Sequence, residues 1–257
     1  MAPDSSALIA RLGDVSQWDL EVIETLDVTR SMRRIRCTAP GLGELSYQPG
    51  QDLMLSVPTA GDGDTTFRRR YTIRSFDPSV PAVDLDVVLH GDGPAAAWAA
   101  SAQPGGRIEA IGPRGKVTVD PAAEWHLFVG DDSAIPASLA MAESLPASQP
   151  AIVLLQVGGV EDHQEARTAD GREVPVEWVH RAGADADPAS GTELVAALRA
   201  IPLLAGTGHA YLAGELGVVA QMRNVLLERG LAAEQISAKP YWRAGRANAA
   251  HGEPERP

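Results

Sequence analysis

The segment Trp125–Ala137, WHLFVGDDSAIPA, contains the pattern from which the fold class is predicted. Its first six residues are a short continuous apolar run, which is typical of a strand buried on both faces. The Gly-Asp-Asp-Ser stretch that follows predicts a turn, and a helix is predicted over 134–145. A buried strand followed by a helix is the repeating unit of a parallel α/β sheet.

The chain beyond this segment continues the same alternation of strands and helices. Short apolar runs predict strands at 151–157, 176–180 and 210–213. Stretches with helical periodicity predict helices at 191–200 and 216–229. Two polar stretches, 158–172 and 182–190, are predicted as surface loops. We therefore expect an α/β domain with a parallel sheet in the C-terminal half of the chain.

The N-terminal half contains many short strand-like runs separated by Gly, Pro and Asp turns. Strands are predicted at 18–28, 31–39, 47–58, 67–76, 83–90 and 107–111. The run at 83–90, VDLDVVLH, alternates apolar and acidic residues, so it is predicted to be half-buried. One alanine-rich helix is predicted at 94–102. This pattern favours a small antiparallel barrel or sandwich, with a boundary near 116–124.

Composition excludes several classes of function. The chain has 257 residues, with 22 Lys and Arg against 34 Asp and Glu, and a net charge of −12 argues against nucleic-acid or anionic-membrane binding. No apolar run approaches the roughly 20 residues of a membrane span, and the N-terminus lacks the pattern of a secretory signal. The single cysteine, Cys37, excludes an intramolecular disulfide, and the six histidines show no metal-ligand spacing. We expect a cytoplasmic protein without a metal site.

The basic run Arg68–Arg74, RRRYTIR, is the sharpest candidate site in the N-terminal half. On a strand, Arg69 and Tyr71 point one way, whereas Thr72 and Arg74 point the other. An aromatic ring beside guanidinium groups suits a flat anionic ligand, because the ring stacks and arginine pairs with phosphate. The alternative is a solvated basic edge strand that discourages pairing with other chains.

Three further segments place small or acidic residues where a strand meets a helix. In His90–Trp98, HGDGPAAAW, glycines precede a helix whose backbone amides suit a pyrophosphate, although an ordinary strand–turn–helix explains the pattern equally. Gly130–Ala137 and Ala213–Glu215 carry acidic residues at helix starts, where helix capping is the alternative to ligand binding. The chain has no G-x-G-x-x-G, G-x-S-x-G or P-loop motif.

Taken in order, these segments resemble the siderophore-interacting protein family of FAD-dependent ferric-siderophore reductases. The matching segments extend over nearly the whole chain and are Arg69–Arg74, His90–Trp98, Pro104–Gly106, Gly112–Gly115, Gly130–Ala137, Ala213–Glu215 and Tyr241–Gly245. The resemblance implies a ferredoxin-reductase-like fold, in which a six-stranded antiparallel β-barrel at 1–118 binds FAD. A parallel-sheet α/β domain at 119–257 would bind NAD(P)H, and its C-terminal tail would return to the flavin.

The activity that the resemblance implies is reduction of a ferric siderophore, which releases Fe(II) in the cytoplasm. The electrons would come from NADH or NADPH, or from ferredoxin, and no catalytic side chain is expected because the flavin carries them. A monomer is expected. Two alternatives stay open: a general flavin or ferredoxin-type reductase, which needs no siderophore, and a non-catalytic siderophore-binding module.

The resemblance also implies a set of binding residues. Those expected to bind the cofactors are Arg69, Tyr71, Thr72, Arg74, His90, Gly93, Pro94, Ala95, Asp131, Ser133, Ala134, Ala213, Gly214, Glu215 and Trp242. Lys239, Arg243 and Arg246 are candidate cations of the siderophore pocket. Many relatives have a lysine where this chain has Met54, so we expect a siderophore that is less anionic or more lipophilic.

Overall fold

The computed structural model describes residues 16–59, 62–89, 93–183 and 187–245. The N-terminal strands are β1 Ser16–Thr29, β2 Met32–Thr38, β3 Asp52–Thr59, β4 Asp62–Thr72, β5 Ser75–Asp77, β6 Ala82–Val88 and β7 Arg107–Arg114. The strands that follow are β8 Trp125–Gly130, β9 Ala151–Val157, β10 Val176–His180, β11 Gly208–Glu215 and β12 Ile236–Trp242. The α-helices are α1 Pro94–Ser101, α2 Ile135–Glu143, α3 Thr192–Ala200 and α4 Leu216–Glu228.

The first seven strands form a curled antiparallel sheet in the order β4-β3-β7-β1-β2-β6-β5. Its two edge strands, β4 and β5, are separated in the chain only by Ile73 and Arg74. The amide of Ile73 donates to Gln51 O (3.0 Å), next to β3, whereas the amide of Arg74 donates to Asp84 O (2.9 Å) on β6. One of these adjacent amides bonds on the β3 side of the sheet and the other on the β6 side. The two ends of the strand order are therefore brought together at this point.

This bend explains a difference from the sequence prediction, which expected six strands. The segment predicted as one strand over 67–76 is divided at Ile73 and Arg74, so that β4 pairs with β3 and β5 pairs with β6. The predicted antiparallel architecture is confirmed, with seven strands instead of six. Leu53, Leu55 and Val57 on alternate positions of β3 are fully buried inside the curl, and α1 packs against β2, β3 and β6.

Strand β6 is more deeply buried than its alternating sequence predicted. Asp84 and Asp86 are 6% and 3% exposed, so the prediction of a half-buried strand is wrong. Arg34 on β2 donates two hydrogen bonds to Asp86 (2.7 and 2.8 Å), and Ser75 Oγ donates to Asp84 Oδ2 (2.6 Å). These hydrogen bonds replace some of those that the two carboxylates would make to water. The face of β6 that carries the aspartates can therefore be buried.

The last five strands form a parallel sheet in the order β10-β9-β8-β11-β12. Helices α3 and α4 cover one face, where Leu194 and Met222 are fully buried. Helix α2 covers the other face, and the apolar cluster around its Leu139 continues to Met32 on β2. The two sheets therefore share a core, and residues 115–124 connect them in the chain.

Two parts of this half differ from the sequence prediction. Strand β12 was not predicted, because its sequence, ISAKPYW, has little apolar alternation; it is an edge strand, where its Pro240 is tolerated. The segment 158–172 was predicted as a surface loop, but Asp162, Ala166 and Thr168 are buried in it. Among the helices in the described ranges, none has the length and apolar character needed to cross a membrane.

The buried ion pair on β6 is expected to contribute more to stability than a similar pair on the surface. Asp86→Ala should lower the free energy of unfolding by about 3–5 kcal/mol, because it leaves Arg34 without its buried partner. The matched control is Asp19→Ala, since Asp19 pairs with Arg107 in an exposed setting, and it should cost less than about 1 kcal/mol. Urea denaturation measures both, and equal losses would contradict the prediction.

Candidate functional site

The inner face of β4 presents an aromatic ring beside a guanidinium group. In the β3–β4 pair, Arg69 lies opposite Leu55 and Tyr71 opposite Leu53, and directly opposed residues share one face of a sheet. Because Leu53 and Leu55 are fully buried inside the curl, Arg69 and Tyr71 are on that same inner face. Both are only half-buried, so part of each remains accessible. Burial raises the pKa of Tyr71 to about 12, so its hydroxyl stays neutral.

Arg69 differs from the neighbouring arginines in its partners. Its Nη1 donates to Arg68 O (2.8 Å), and its guanidinium carbon lies 5.2 Å from the centre of the Phe67 ring. Within the described part of the chain Arg69 forms no ion pair, whereas Arg70 and Arg74 do. Burial accordingly lowers the pKa of Arg69. A half-buried cation without a counterion suits a phosphate, and the adjacent ring suits a flat heterocycle, so these residues fit a flavin nucleotide.

The start of α1 offers backbone amides in an open setting. Gly93 is the N-cap, Pro94 occupies the first turn, and the amides of a first turn have no partner inside the helix. A Cβ at Gly93 would meet no heavy atom within 4 Å, so the space beside it is open. Together with the small side chain of Ala95, this geometry leaves room for a phosphate group. The predicted residue His90 lies outside the described residues.

The outer face of β4 contacts the last strand of the parallel sheet. Asp52 accepts hydrogen bonds from Arg70 Nε (2.8 Å) and from Lys239 Nζ (2.9 Å) on β12. Tyr241 hydrogen-bonds to Thr72, and burial raises the pKa of Tyr241 to about 12. Lys239, a predicted pocket cation, is thus held in a buried ion pair.

The other two predicted pocket cations differ from Lys239. Arg243 is exposed just beyond β12. Arg246 lies outside the described residues.

Arg74 forms an ion pair between the two sheets. Its Nη1 and Nη2 donate to the two carboxylate oxygens of Glu143 at the end of α2, at 2.6 and 2.8 Å. The Arg74 side chain is only 10% exposed. The guanidinium end predicted to bind the cofactor is therefore occupied by a carboxylate here, and its contact with a cofactor stays a prediction.

The carboxyl edge of the parallel sheet gathers most of the other predicted residues. The chain passes from β8 to β9 and β10 on one side, while β11 and β12 lie on the other, so the order reverses between β8 and β11. Ligands of open α/β sheets bind at such a point. Asp131, Ser133 and Ala134 follow β8, and Ala213–Glu215 ends β11.

A single carboxylate, that of Asp131, joins these segments. Its Oδ1 accepts hydrogen bonds from the amide (2.9 Å) and hydroxyl (2.5 Å) of Ser133. Its Oδ2 accepts from the amide of Glu215 (2.9 Å) and from Trp242 Nε1 (2.8 Å). The structure therefore connects residues from β8, β11 and β12, and it orients the indole of Trp242.

Two glycines allow this close approach. Gly214 has φ +131°, and a Cβ there would lie 2.5 Å from Asp131 Oδ2. A Cβ at Gly130 would lie 2.5 Å from Ala213 O. A larger residue at either position would therefore separate β8 from β11.

The acidic residues at this edge act as caps, which was the alternative to ligand binding. Asp131 caps the turn that contains Ser133, and Glu215 Oε2 accepts from the amides of Gly217 (2.5 Å) and Val218 (3.0 Å) in α4. Burial, followed by the adjacent Asp132 carboxylate, raises the pKa of Asp131 to about 6. Capping does not exclude a nucleotide beside these residues, so their cofactor contacts stay a prediction.

Sequence reasoning missed the partners that connect the two sheets. Asp52 lies two residues after Gly50 of the Pro49-Gly50 turn. A carboxylate at the start of an apolar strand was a signal that it would be paired. Glu143 is 69 positions from Arg74, so no local signal identifies it. Arg181, which donates to Asp132 (3.1 Å), follows β10 and was likewise not identified.

Two family models match the chain. The siderophore-interacting protein model matches residues 123–245, and the siderophore-interacting FAD-binding domain model matches residues 56–117. An uncharacterised Mycobacterium tuberculosis protein, Rv2895c, is 39% identical over 80% of this chain and 74% of its own length. The ferric vibriobactin reductase ViuB of Vibrio cholerae is 33% identical over 72% of this chain and 68% of its own length.

Solved structures share the same architecture. A siderophore utilization protein from T. fusca superposes with a TM-score of 0.81 at 28% identity, covering 92% of this chain and 96% of that chain. Phthalate dioxygenase reductase, at 15% identity and a TM-score of 0.65, covers 93% of this chain and 71% of that chain. This more distant likeness concerns the fold alone, and it is the reductase-like fold that the sequence predicted.

The raised pKa of Asp131 predicts a specific pH dependence of stability. Its folded pKa, about 6, lies above the usual 3.8, so the folded state binds the proton more tightly than the unfolded state. This contribution is complete below about pH 4 and is lost as the pH rises through 6. Asp131→Asn removes the titration, so its stability relative to the original chain should rise between pH 4 and pH 7.

Urea denaturation of both proteins at several pH values tests this expectation. Asp19→Asn is the control, because Asp19 is an exposed carboxylate whose partner, Arg107, keeps its charge throughout this pH range. If the difference in free energy of unfolding between Asp131→Asn and the original chain stays constant from pH 4 to pH 7, then Asp131 has no raised pKa.

Proposed function

Because the chain belongs to the siderophore-interacting protein family, we propose that it is an FAD-dependent oxidoreductase that reduces ferric siderophores in the cytoplasm. The observation that carries the proposal is the pair Arg69 and Tyr71: a half-buried guanidinium that has no carboxylate partner among the described residues, beside a half-buried ring. These two side chains lie within the span of the FAD-binding family model. The similarity to ViuB, a ferric vibriobactin reductase, supports the substrate class for this chain.

The two sheets have separate roles in this proposal. Residues 1–118 would bind FAD, with Arg69 pairing with a phosphate, Tyr71 stacking on the flavin, and the amides at Gly93–Ala95 facing the pyrophosphate. Residues 119–257 would bind NADH or NADPH at the carboxyl edge, between Asp131–Ala134 and Ala213–Glu215. A parallel sheet whose order reverses there supports this location.

Bound FAD would supply the redox chemistry, by accepting a hydride and passing its two electrons singly to two ferric ions. The chain's own residues fix the aromatic side chains of β12. Asp131 fixes the indole of Trp242 at the carboxyl edge, and Tyr241 is fixed to Thr72 on β4. The oxygen ligands of a siderophore bind Fe(III) more tightly than Fe(II), so electron transfer alone favours release of the metal. No side chain has to move a proton for that step.

The charges near β12 support a siderophore of low negative charge. Lys239 is paired with Asp52 (2.9 Å), which also pairs with Arg70 (2.8 Å), and the Lys239 side chain is only 12% exposed. Met54 lies on the same strand as Asp52 and carries no charge. Its sulfur accepts a hydrogen bond from Arg114 Nη1 (3.2 Å). Of the three predicted pocket cations, Arg243 is the one that is exposed within the described residues. A strongly anionic chelate would have to displace Asp52 to reach Lys239.

The first test is the visible spectrum of the purified protein under anaerobic conditions. We expect a flavin spectrum that bleaches with NADH or NADPH and recovers when a ferric siderophore is added, as Fe(II) forms. Arg69→Ala should weaken FAD binding by roughly 10- to 100-fold, because a charged hydrogen bond contributes about 1.5–3 kcal/mol. The matched control is Arg68→Ala, since Arg68 is an exposed neighbour on the same strand.

Each other outcome has a defined meaning. A flavin that bleaches only with reduced ferredoxin would identify ferredoxin, and not NADH or NADPH, as the electron donor. Turnover with free flavin or a protein acceptor but not with siderophores would favour the general reductase. Tight siderophore binding by a chain that takes up no FAD would overturn the proposal and favour a binding module.

The substrate charge has its own test. Ferric siderophores that differ in net charge are compared by kcat/KM, and neutral chelates should be preferred over highly anionic ones. Asp52→Asn should shift this ratio toward the anionic chelates by about tenfold, because it removes the carboxylate that is paired with Lys239 and Arg70. The exposed Asp19→Asn serves as the control. A chain that already prefers a highly anionic chelate would refute the assignment while leaving the reductase activity intact.

A further inference from the structure

Two histidines converge at the carboxyl edge of the parallel sheet, outside the site described above. His163 follows the short turn Val160–Asp162 that comes after β9, and His180 is the last residue of β10. Their Nε2 atoms are 2.8 Å apart. His180 is exposed and His163 is half-exposed, so solvent reaches the point where the two rings meet.

The orientation of these rings is fixed by an aromatic neighbour. His163 stacks on Trp178, with ring centres 5.0 Å apart and planes 13° apart. Trp178 precedes His180 by two positions on β10, so both lie on the same face of the strand. A stacked imidazole is held with its Nε2 directed at a single point, which reduces the entropy lost when a ligand binds there.

The electrostatics of the pair favour a cation. Asp162 is buried and accepts a hydrogen bond from Ser31 Oγ (2.6 Å), and Glu161 lies 3.6 Å from Arg30. These two carboxylates directly precede His163 in the chain, so negative charge lies close to the point where the two rings meet.

We propose that His163 and His180 bind one divalent transition-metal ion of the zinc and nickel class through their two Nε2 atoms. Two imidazole nitrogens directed at one point either share a proton or share a metal, and both rings fit the ligand preference of these ions. The described residues contain no cluster of three or more His, Cys, Asp or Glu that would form a closed metal site. Water therefore completes the coordination, and the metal remains exchangeable. This site does not depend on the proposed reductase function.

Zn²⁺ titration of the full chain tests the proposal by isothermal calorimetry at pH 7.5, with FAD added and no affinity tag. We expect one site, whose affinity falls by at least about tenfold in His163→Ala and in His180→Ala, since even outer-shell changes cost that much. Glu177→Gln is the matched control, because Glu177 is exposed on the same strand but faces the other way.

A second measurement covers the case in which a variant does not fold. In the unchanged chain, Zn²⁺ should shift the ring signals of His163 and His180 in ¹H–¹⁵N spectra before those of the other histidines. Zn²⁺ that binds equally well to both alanine variants, or that shifts other histidines first, would overturn the proposal. Neither readout requires activity, so failure here is distinct from failure of the reductase proposal.

Discussion

The buried carboxylate of Asp131 is the constraint on which the carboxyl edge of the parallel sheet depends. It accepts four hydrogen bonds, from both donors of Ser133, from the amide of Glu215 and from the indole of Trp242. A charged acceptor inside protein is costly unless its oxygens are satisfied, and here three segments of chain supply the donors. Losing any one of those segments would remove at least one of the four donors from a buried carboxylate. The ends of β8, β11 and β12 are therefore coupled.

The two sheets are joined by the same kind of contact. Arg74 pairs with Glu143, Lys239 pairs with Asp52, and Tyr241 bonds to Thr72. Each pair takes one partner from the curled sheet and one from the α/β half, and the apolar cluster that contains Met32 lies between them. Charges buried on both sides of an interface fix its orientation, because a shifted arrangement would separate them in a low-dielectric setting.

Local pattern predicted the elements well where burial follows directly from composition. The boundaries of β8, β9 and β10 agree with the prediction, since continuous apolar runs between turns have few other arrangements. The prediction was weaker where polar residues are buried. Strand β6 contains two buried aspartates, so its sequence predicted a strand that is only half-buried. Strand β12 contains a lysine and a proline, so its sequence did not predict a strand. The bend at Ile73 and Arg74 also has no local signal, because it results from bonds to Gln51 and Asp84.

The sequence alone determined the fold class, the family resemblance and the position of Arg69 and Tyr71 on one face of a strand. These features follow from periodicity and from motifs, which are local properties of the chain. Only the tertiary structure decided which charges remain available to a ligand. Arg69, Arg74 and Lys239 are equivalent as cations in the sequence, yet Arg74 and Lys239 are paired with carboxylates, whereas Arg69 has no such pair in the part of the chain that the structure describes. The physical reason is that an ion pair depends on which distant strands meet, and that is decided only when the two sheets pack together.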